Sequence, residues 1–331
     1  MQAVVLGAGS WGTALAHALA FSGKETVLWG RSGALMAEMA QCRENRRYLP
    51  GWPVAAAVRP TADMAAALHG AELVVLAIPC QRLAAFLREH AAFFPEGVAV
   101  VGAGKGVEQG SLRTMGQVVA AELGARQVRY GVLSGPSFAA GVMAGQPTAV
   151  VLGCADAALG ERIQVRCASP VFRVYGTTDV LGVELAGALK NVMAIAAGLA
   201  DGLGFGENAR AALITRGLAE MARLGEAMGA RAQTFMGLAG LGDLVLTCTG
   251  DASRNRRVGL AVGRGHTLEA ALAQVGGVAE GVWTTQAVWA LAQRLGVEMP
   301  ICEQVHAVLF SGKSPVEAVR TLMGRPLRWE A

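Results

Sequence analysis

Residues 1–17 read Met-Gln-Ala-Val-Val-Leu-Gly-Ala-Gly-Ser-Trp-Gly-Thr-Ala-Leu-Ala-His, and the glycines at 7, 9 and 12 decide the fold. Ala3–Leu6 is a continuous apolar run, which suits a strand buried on both faces. The glycine stretch follows it directly, and a helical pattern begins near Thr13. In that context Gly7 allows a tight turn, Gly9 lets a pyrophosphate approach the backbone, and Gly12 lets helix pack on strand. The helix N-terminus then offers unpaired N–H groups to the phosphates.

Outward from this turn, apolar runs alternate with helical stretches. Strands are expected at Thr26–Trp29, Val54–Val58, Leu73–Ala77, Val98–Val101, Val128–Leu133, Ala149–Leu152 and Phe172–Tyr175. Such alternation predicts an α/β fold with an N-terminal Rossmann-type doubly wound sheet over residues 1–178. Beyond Thr178 strand-like runs vanish, and Ala209–Met228, Val282–Leu295 and Ile301–Phe310 have helical length and spacing. Residues 179–331 are therefore expected to form an all-helical substrate-binding and catalytic domain.

The chain has 331 residues, of which 44 are glycine, 53% are hydrophobic and 16% charged. Glycine has no three-residue period, which excludes a collagen-like rod, and the apolar content excludes disorder. Residues 2–23 and 132–155 carry no acidic side chain, lysine or arginine. Their Gly, Ser and Pro breakers argue against bilayer spans, and no basic n-region marks a signal peptide. The expectation is a soluble, cytoplasmic protein with no integral membrane segment. A net charge of +4 is too small to indicate a nucleic-acid partner. The six cysteines and five histidines lack metal-ligand spacing, so no metal is expected and the thiols are read as buried.

Candidate chemistry concentrates on few residues. The second strand ends at Trp29-Gly30-Arg31. Arg31 suits a 2′-phosphate and so NADPH, the alternative being an ordinary surface arginine. The chain has four lysines among 29 basic side chains. Lys190 has Ala186, Gly187, Met193 and Ala194 at helical spacing, a dry setting that suits a proton-transfer lysine or one whose amine snorkels to water. Lys105 stands among Gly102, Gly104 and Gly106, read as leaving room for a ligand, with a solvated loop lysine the equal alternative. Three polar stretches read as loops: Ser134–Ala139, Gly240–Asp243 and Ser253–Arg257, the last with arginines for an anion, though singly each also suits a cap, a turn or a solvated face. Together these features indicate hydride transfer on a small anionic alcohol or ketone.

Several blocks in order carry a resemblance: G-A-G-S-W-G-T-A-L-A at 7–16, N-x-x-Y-L-P-G at 45–51, S-G-P-S-F-A at 134–139 and K-N-V-M-A-I-A-A-G at 190–198. To these add G-L-A-G-L-G-D-L-V-L-T-C-T at 237–249 and S-R-N-R at 253–256. The chain resembles the bacterial NAD(P)-dependent glycerol-3-phosphate dehydrogenases along essentially its whole length. The resemblance implies interconversion of glycerol 3-phosphate and dihydroxyacetone phosphate with NADH or NADPH, serving phospholipid synthesis, by a homodimer. It implies that Ser10, Trp11, Arg31, Ala139, Val278 and Glu280 hold the nucleotide. Gly135, Ser137, Asp243, Ser253 and Asn255 would hold substrate. Arg254 would touch substrate and cofactor, Lys105 would bridge the two, and Lys190 would accept the proton. Gly104 departs from the serine or threonine usual in that family. A related hydroxyacid dehydrogenase, a non-catalytic dinucleotide sensor and a peripheral membrane protein are the alternatives.

Overall fold

The computed structural model describes residues 1–327 and 329. It divides into two compact units, one of Met1–Lys105 with Arg113–Glu184, the other of Gly106–Leu112 with the chain from Leu185 onward.

The first unit holds ten strands: β1 Ala3–Leu6, β2 Thr26–Trp29, β3 Glu44–Asn45, β4 Leu49–Pro53, β5 Val58–Thr61, β6 Leu73–Leu76, β7 Ala99–Gly102, β8 Arg129–Ser134, β9 Thr148–Cys154 and β10 Phe172–Thr177. Its helices are α1 Ser10–Leu19, α2 Gly33–Cys42, α3 Met64–Leu68, α4 Cys80–His90, α5 Met115–Leu123, α6 Ala139–Met143 and α7 Ala157–Cys167. Eight strands form one sheet in the order β10-β9-β8-β7-β6-β1-β2-β5. The order reverses at β1 and β6, so the carboxyl ends of those strands form the crevice where open α/β sheets take ligands. β1, β2, β6 and β7 are buried throughout, in keeping with their continuous apolar sequences. One core packs Val5, Leu15 and Leu28 on one face, and a second packs Val4, Leu76 and Leu87 on the other.

Two strand expectations need correction. Val54–Val58 is not a strand, because Arg43 holds the segment in a turn. Its guanidinium donates to the Val58 carbonyl at 3.0 Å and also to that of Ala55, and its own carbonyl accepts from Val54 N at 2.7 Å. The sheet is also not wholly parallel, since β9 runs antiparallel to β8.

Two buried charges organise this unit. Arg166 on α7 donates to the carbonyls of Met1 (2.8 Å), Leu19 (2.7 Å) and Glu25 (3.1 Å) and to Thr26 Oγ1 (3.2 Å). Glu184 accepts from Tyr130 Oη at 2.7 Å and from Gly116 N, in the first turn of α5, at 2.6 Å. Burial pushes the Glu184 carboxyl above its ordinary range and the Tyr130 phenol well above its own.

Glu184 lies on α8 (Val180–Gly202), the long helix whose later part opens the second unit. After it come α9 Glu207–Ala227, α10 Ala232–Phe235, a π-helical turn Leu238–Gly242, α11 Asp243–Thr249, α12 Arg254–Gly263, α13 Leu268–Val275, α14 Glu280–Leu295, α15 Pro300–Phe310 and α16 Pro315–Met323. α8 is long and apolar enough to cross a bilayer, but 89% of its most apolar window is buried in protein.

α8 and α12 cross at backbone contact. A Cβ on Gly198 would lie 2.0 Å from the Arg256 carbonyl oxygen, and one on Gly259 2.1 Å from that of Ile195. Gly202 and Gly263 continue the seam one turn on, at 2.6 Å from Leu260 O and 2.5 Å from Leu199 O. Glu220, 3% exposed on α9, caps α15 by accepting from Ile301 N (2.7 Å) and Cys302 N (3.3 Å). Burial pushes its carboxyl up to about 7. The thiols are not uniformly buried, since Cys42 at the end of α2 is exposed.

Candidate active site

In the first unit the three glycines of the β1–α1 turn take separate roles. Gly7 has φ +115° and lies so close to β6 that a Cβ would stand 2.5 Å from Ala77 O. Gly12 packs on the turn, its Cβ position 1.8 Å from Gly7 O. Gly9, the N-cap of α1, has nothing within 4 Å of its Cβ position. A helix N-terminus behind an open, side-chain-free backbone is the geometry that accepts a pyrophosphate, so the residues present fit a dinucleotide. The helix starts at Ser10, earlier than expected, which places Ser10 and Trp11 in its first turn. Ser10 Oγ donates to Tyr48 O at 2.5 Å, and Trp11 Nε1 donates to Ala103 O at 3.1 Å. Arg31 is exposed just past β2.

Beside this turn, Lys105 Nζ donates to Gly135 O at 3.3 Å, as does Ser137 Oγ at 2.9 Å. Gly135, with φ +139°, turns the chain out of β8, and Ala139 opens α6. The glycines before Lys105 do not make room for a ligand. A Cβ at Gly102 would stand 2.4 Å from Tyr130 Oη, and one at Gly104 2.7 Å from Ile78 O and 3.0 Å from Met115 Cε. Protein atoms fill that space, and no hydroxyl-bearing side chain fits at position 104 without a shift.

In the second unit Lys190 is 6% exposed and Asp243 1%. Lys190 Nζ donates to Asp243 Oδ1 at 2.5 Å and to Thr247 Oγ1 at 2.8 Å. The setting of Lys190 is therefore dry but not purely apolar: a buried ion pair sits inside it. Removing one partner of such a pair costs about 3–5 kcal/mol, because the other charge stays buried.

Neither Gly240–Asp243 nor Ser253–Arg257 is a loop. The first is the π-helical turn running into α11, and Gly240 packs against Phe235 O, 2.0 Å from its Cβ position. The second is the capped start of α12, where Ser253 Oγ accepts from Arg256 N at 3.2 Å. Asn255 Nδ2 donates to Asn191 Oδ1 at 2.8 Å, and Asn255 Oδ1 accepts from Gly281 N at 2.9 Å. Arg254 is exposed against Gly277, whose Cβ position is 3.2 Å from the guanidinium carbon, in the segment that leads to Val278 and Glu280. Arg256 is committed elsewhere, to Asp201 (2.8 Å) and Asp251 (2.7 Å).

Residues 2–160 match the N-terminal region of the NAD-dependent glycerol-3-phosphate dehydrogenases, and residues 179–320 match the C-terminal region. The chain belongs to the NAD-dependent glycerol-3-phosphate dehydrogenase family. A glycerol-3-phosphate dehydrogenase [NAD(P)+] of Nitratidesulfovibrio vulgaris Hildenborough is 56% identical over 330 residues, covering 100% of both chains. The enzyme of the same name in Desulfovibrio desulfuricans is 53% identical over 98% of both. The crystal structure of glycerol-3-phosphate dehydrogenase from Coxiella burnetii superposes with a TM-score of 0.93 at 42% identity, over 98% of this chain and 99% of that one. This is an oxidoreductase of an NAD(P)-dependent family. The hydroxyacid-dehydrogenase alternative is not favoured: a D-mandelate dehydrogenase superposes with a TM-score of 0.63 at 13% identity, a likeness of fold alone.

Three residues of this family member stand in the matching blocks, but sequence alone assigns them no role. Thr247 is four residues from Asp243, a spacing that shares a face only once α11 is recognised as helical. Asn191 holds Asn255. Asn45, fully buried, donates to Ala8 O at 3.0 Å and Thr13 Oγ1 at 2.7 Å and so braces the glycine turn from the β3–β4 hairpin. A single asparagine between charged residues carries no such signal.

Proposed function

We propose that this protein interconverts sn-glycerol 3-phosphate and dihydroxyacetone phosphate, with the dinucleotide held by residues 1–178 and the proton chemistry in residues 179–331. The observation that carries this reading is the buried Lys190–Asp243–Thr247 cluster in a chain whose first unit presents a dinucleotide turn. Bound nicotinamide supplies the hydride acceptor or donor. In oxidation Lys190 Nζ, as the neutral amine after loss of its own proton, takes the C2 hydroxyl proton. In reduction it returns a proton to the carbonyl oxygen. Asp243 and Thr247 hold the amine in place and take up its charge as the proton moves.

The substrate's phosphate is assigned to Arg254, with Ser253 and Asn255 beside it, since a guanidinium on a helix's first turn binds such an anion bidentately. Gly135, Ser137 and Lys105 take the remainder of the substrate. Ser10, Trp11, Ala139, Val278 and Glu280 line the nucleotide, and Arg31 confers preference for NADPH. Anchoring the remote phosphate positions the reacting carbon. The expected setting is a cytoplasmic homodimer that supplies glycerol 3-phosphate for phospholipid synthesis.

The test follows NADPH absorbance with dihydroxyacetone phosphate, using wild type and Lys190→Met, with NADPH fluorescence reporting nucleotide binding. Wild type should turn over. The variant should lose turnover while still binding NADPH. An active Lys190→Met protein refutes the assignment.

A further inference from the structure

Ser134 is the last residue of β8 and 3% exposed, yet among the described residues its hydroxyl has no hydrogen-bond partner. A buried hydroxyl left unpaired costs about 1–3 kcal/mol, so folded chains rarely keep one without a use. Its position is informative. Leu133 belongs to the core that contains Val5 and Leu15, and strand alternation puts Ser134 on the opposite face, with Val132. Gly102, the last residue of β7, pairs with Val132; two residues further along the chain from each stand Gly104, past the end of β7, and Ser134, the last residue of β8. Gly104 has no side chain to offer this hydroxyl, and its Cβ position is closed by Ile78 O and Met115. The next residues, both past the strand ends, are Lys105 and Gly135, joined by a 3.3 Å hydrogen bond. Ser134 therefore sits at the carboxyl edge of the sheet, where ligands collect, beside residues assigned above to substrate.

We propose that Ser134 Oγ is a direct hydrogen-bonding contact for a neutral oxygen of the small polyol or ketone substrate, an extension that rests on the function proposed above. A hydroxyl both donates and accepts, which suits an alcohol or carbonyl oxygen whose role reverses with reaction direction. It carries no charge and so is a poor counterpart for phosphate, which cationic side chains serve better.

A structural hydroxyl and a ligand-facing one respond oppositely to removal. Ser134→Ala should leave the melting temperature of the free protein unchanged or raised, because an unpaired group is deleted. It should raise KM for dihydroxyacetone phosphate about five- to tenfold and leave the Kd for NADPH within about twofold. Ser134→Cys, similar in size with a weak donor, should follow the alanine variant in KM. A melting temperature several degrees lower in Ser134→Ala overturns the proposal, since the hydroxyl is then bonded within the fold. So does an unmoved KM, a shift in NADPH affinity instead, or wild-type KM in Ser134→Cys. Wild-type turnover is measured first. Its absence sinks both readings, whereas turnover with an unmoved KM in the variants sinks only the role of Ser134.

Discussion

Replacing Gly198 by alanine adds one methyl group at the crossing of the helix that carries Lys190 and the helix that starts with Arg254. That carbon would stand 2.0 Å from Arg256 O and 2.7 Å from Leu260 N. Carbon and carbonyl oxygen in close contact are normally separated by about 3.3–3.6 Å, so the helices must part by about 1.3 Å or slide. Neither obstacle is the tip of a flexible side chain. Overpacking of this kind costs about 1–3 kcal/mol, and a displacement near 1 Å in a catalytic arrangement costs on the order of 100-fold in rate. Gly198→Ala should therefore lower the urea midpoint and cut kcat/KM for dihydroxyacetone phosphate about 100-fold. NADPH affinity should stay within about twofold, because the nucleotide turn belongs to the first unit. Gly124→Ala is the control, at a helical φ of −54° with nothing within 4 Å of its Cβ position. Kinetics within about threefold of wild type and an unchanged urea midpoint would show that the seam has slack and refute the reasoning.

Gly9→Ala should fold normally, as its Cβ position is open, but raise the Kd for NADPH more than about tenfold by placing a methyl where the proposed pyrophosphate site would be. Gly7→Ala should instead lower the melting temperature, since its φ of +115° and Ala77 O both reject a side chain. A protease-resistant Gly9→Ala protein with wild-type affinity would remove the phosphate from that turn. Arg31→Ala should abolish selectivity for NADPH over NADH, read from the ratio of kcat/KM values; an unaltered ratio dismisses Arg31 from recognition. Glu220 bears on pH. Its folded pKa of about 7 lies above the ordinary 4.5, so the native state holds a proton that the unfolded chain has released. Stability is thus fully present below about 4.5, falls as pH rises to about 7, and is flat above, a change of about 3 kcal/mol. Glu220→Gln should erase that slope in urea titrations at pH 5 and 8, and parallel pH profiles for the two proteins would contradict it.

The parts of the fold legible from sequence are those where one pattern had one physical cause. β1, β2, β6 and β7 are continuous apolar runs because both faces are covered. The β3–β4 hairpin stayed hidden because its strands contain Glu, Asn, Pro, Gly and Trp and bury little. At the candidate site, Lys190 stood out as an isolated charge in an apolar helix, whereas Asp243 and Ser253 were misplaced into loops. Glycine and arginine composition resembles a loop locally. What makes these segments helical is nonlocal: Gly240 packed on the Phe235 carbonyl, and Gly259 packed on Ile195. Glycines 102 and 104 were misread for the same reason, since an open backbone and a crowded one have identical sequence.

The arginine buried on α7 gives the first unit an order in time. Arg166 seals the first 26 residues through oxygens as much as 165 positions earlier, and even its nearest partner, Glu25 or Thr26, lies about 140 residues upstream. At about 5–20 residues per second of synthesis, roughly 7–30 s pass between the making of β2 and the arrival of its clasp. During that interval β1 and β2 exist without the Arg166 hydrogen bonds. An early stretch of the chain is held by a side chain made much later.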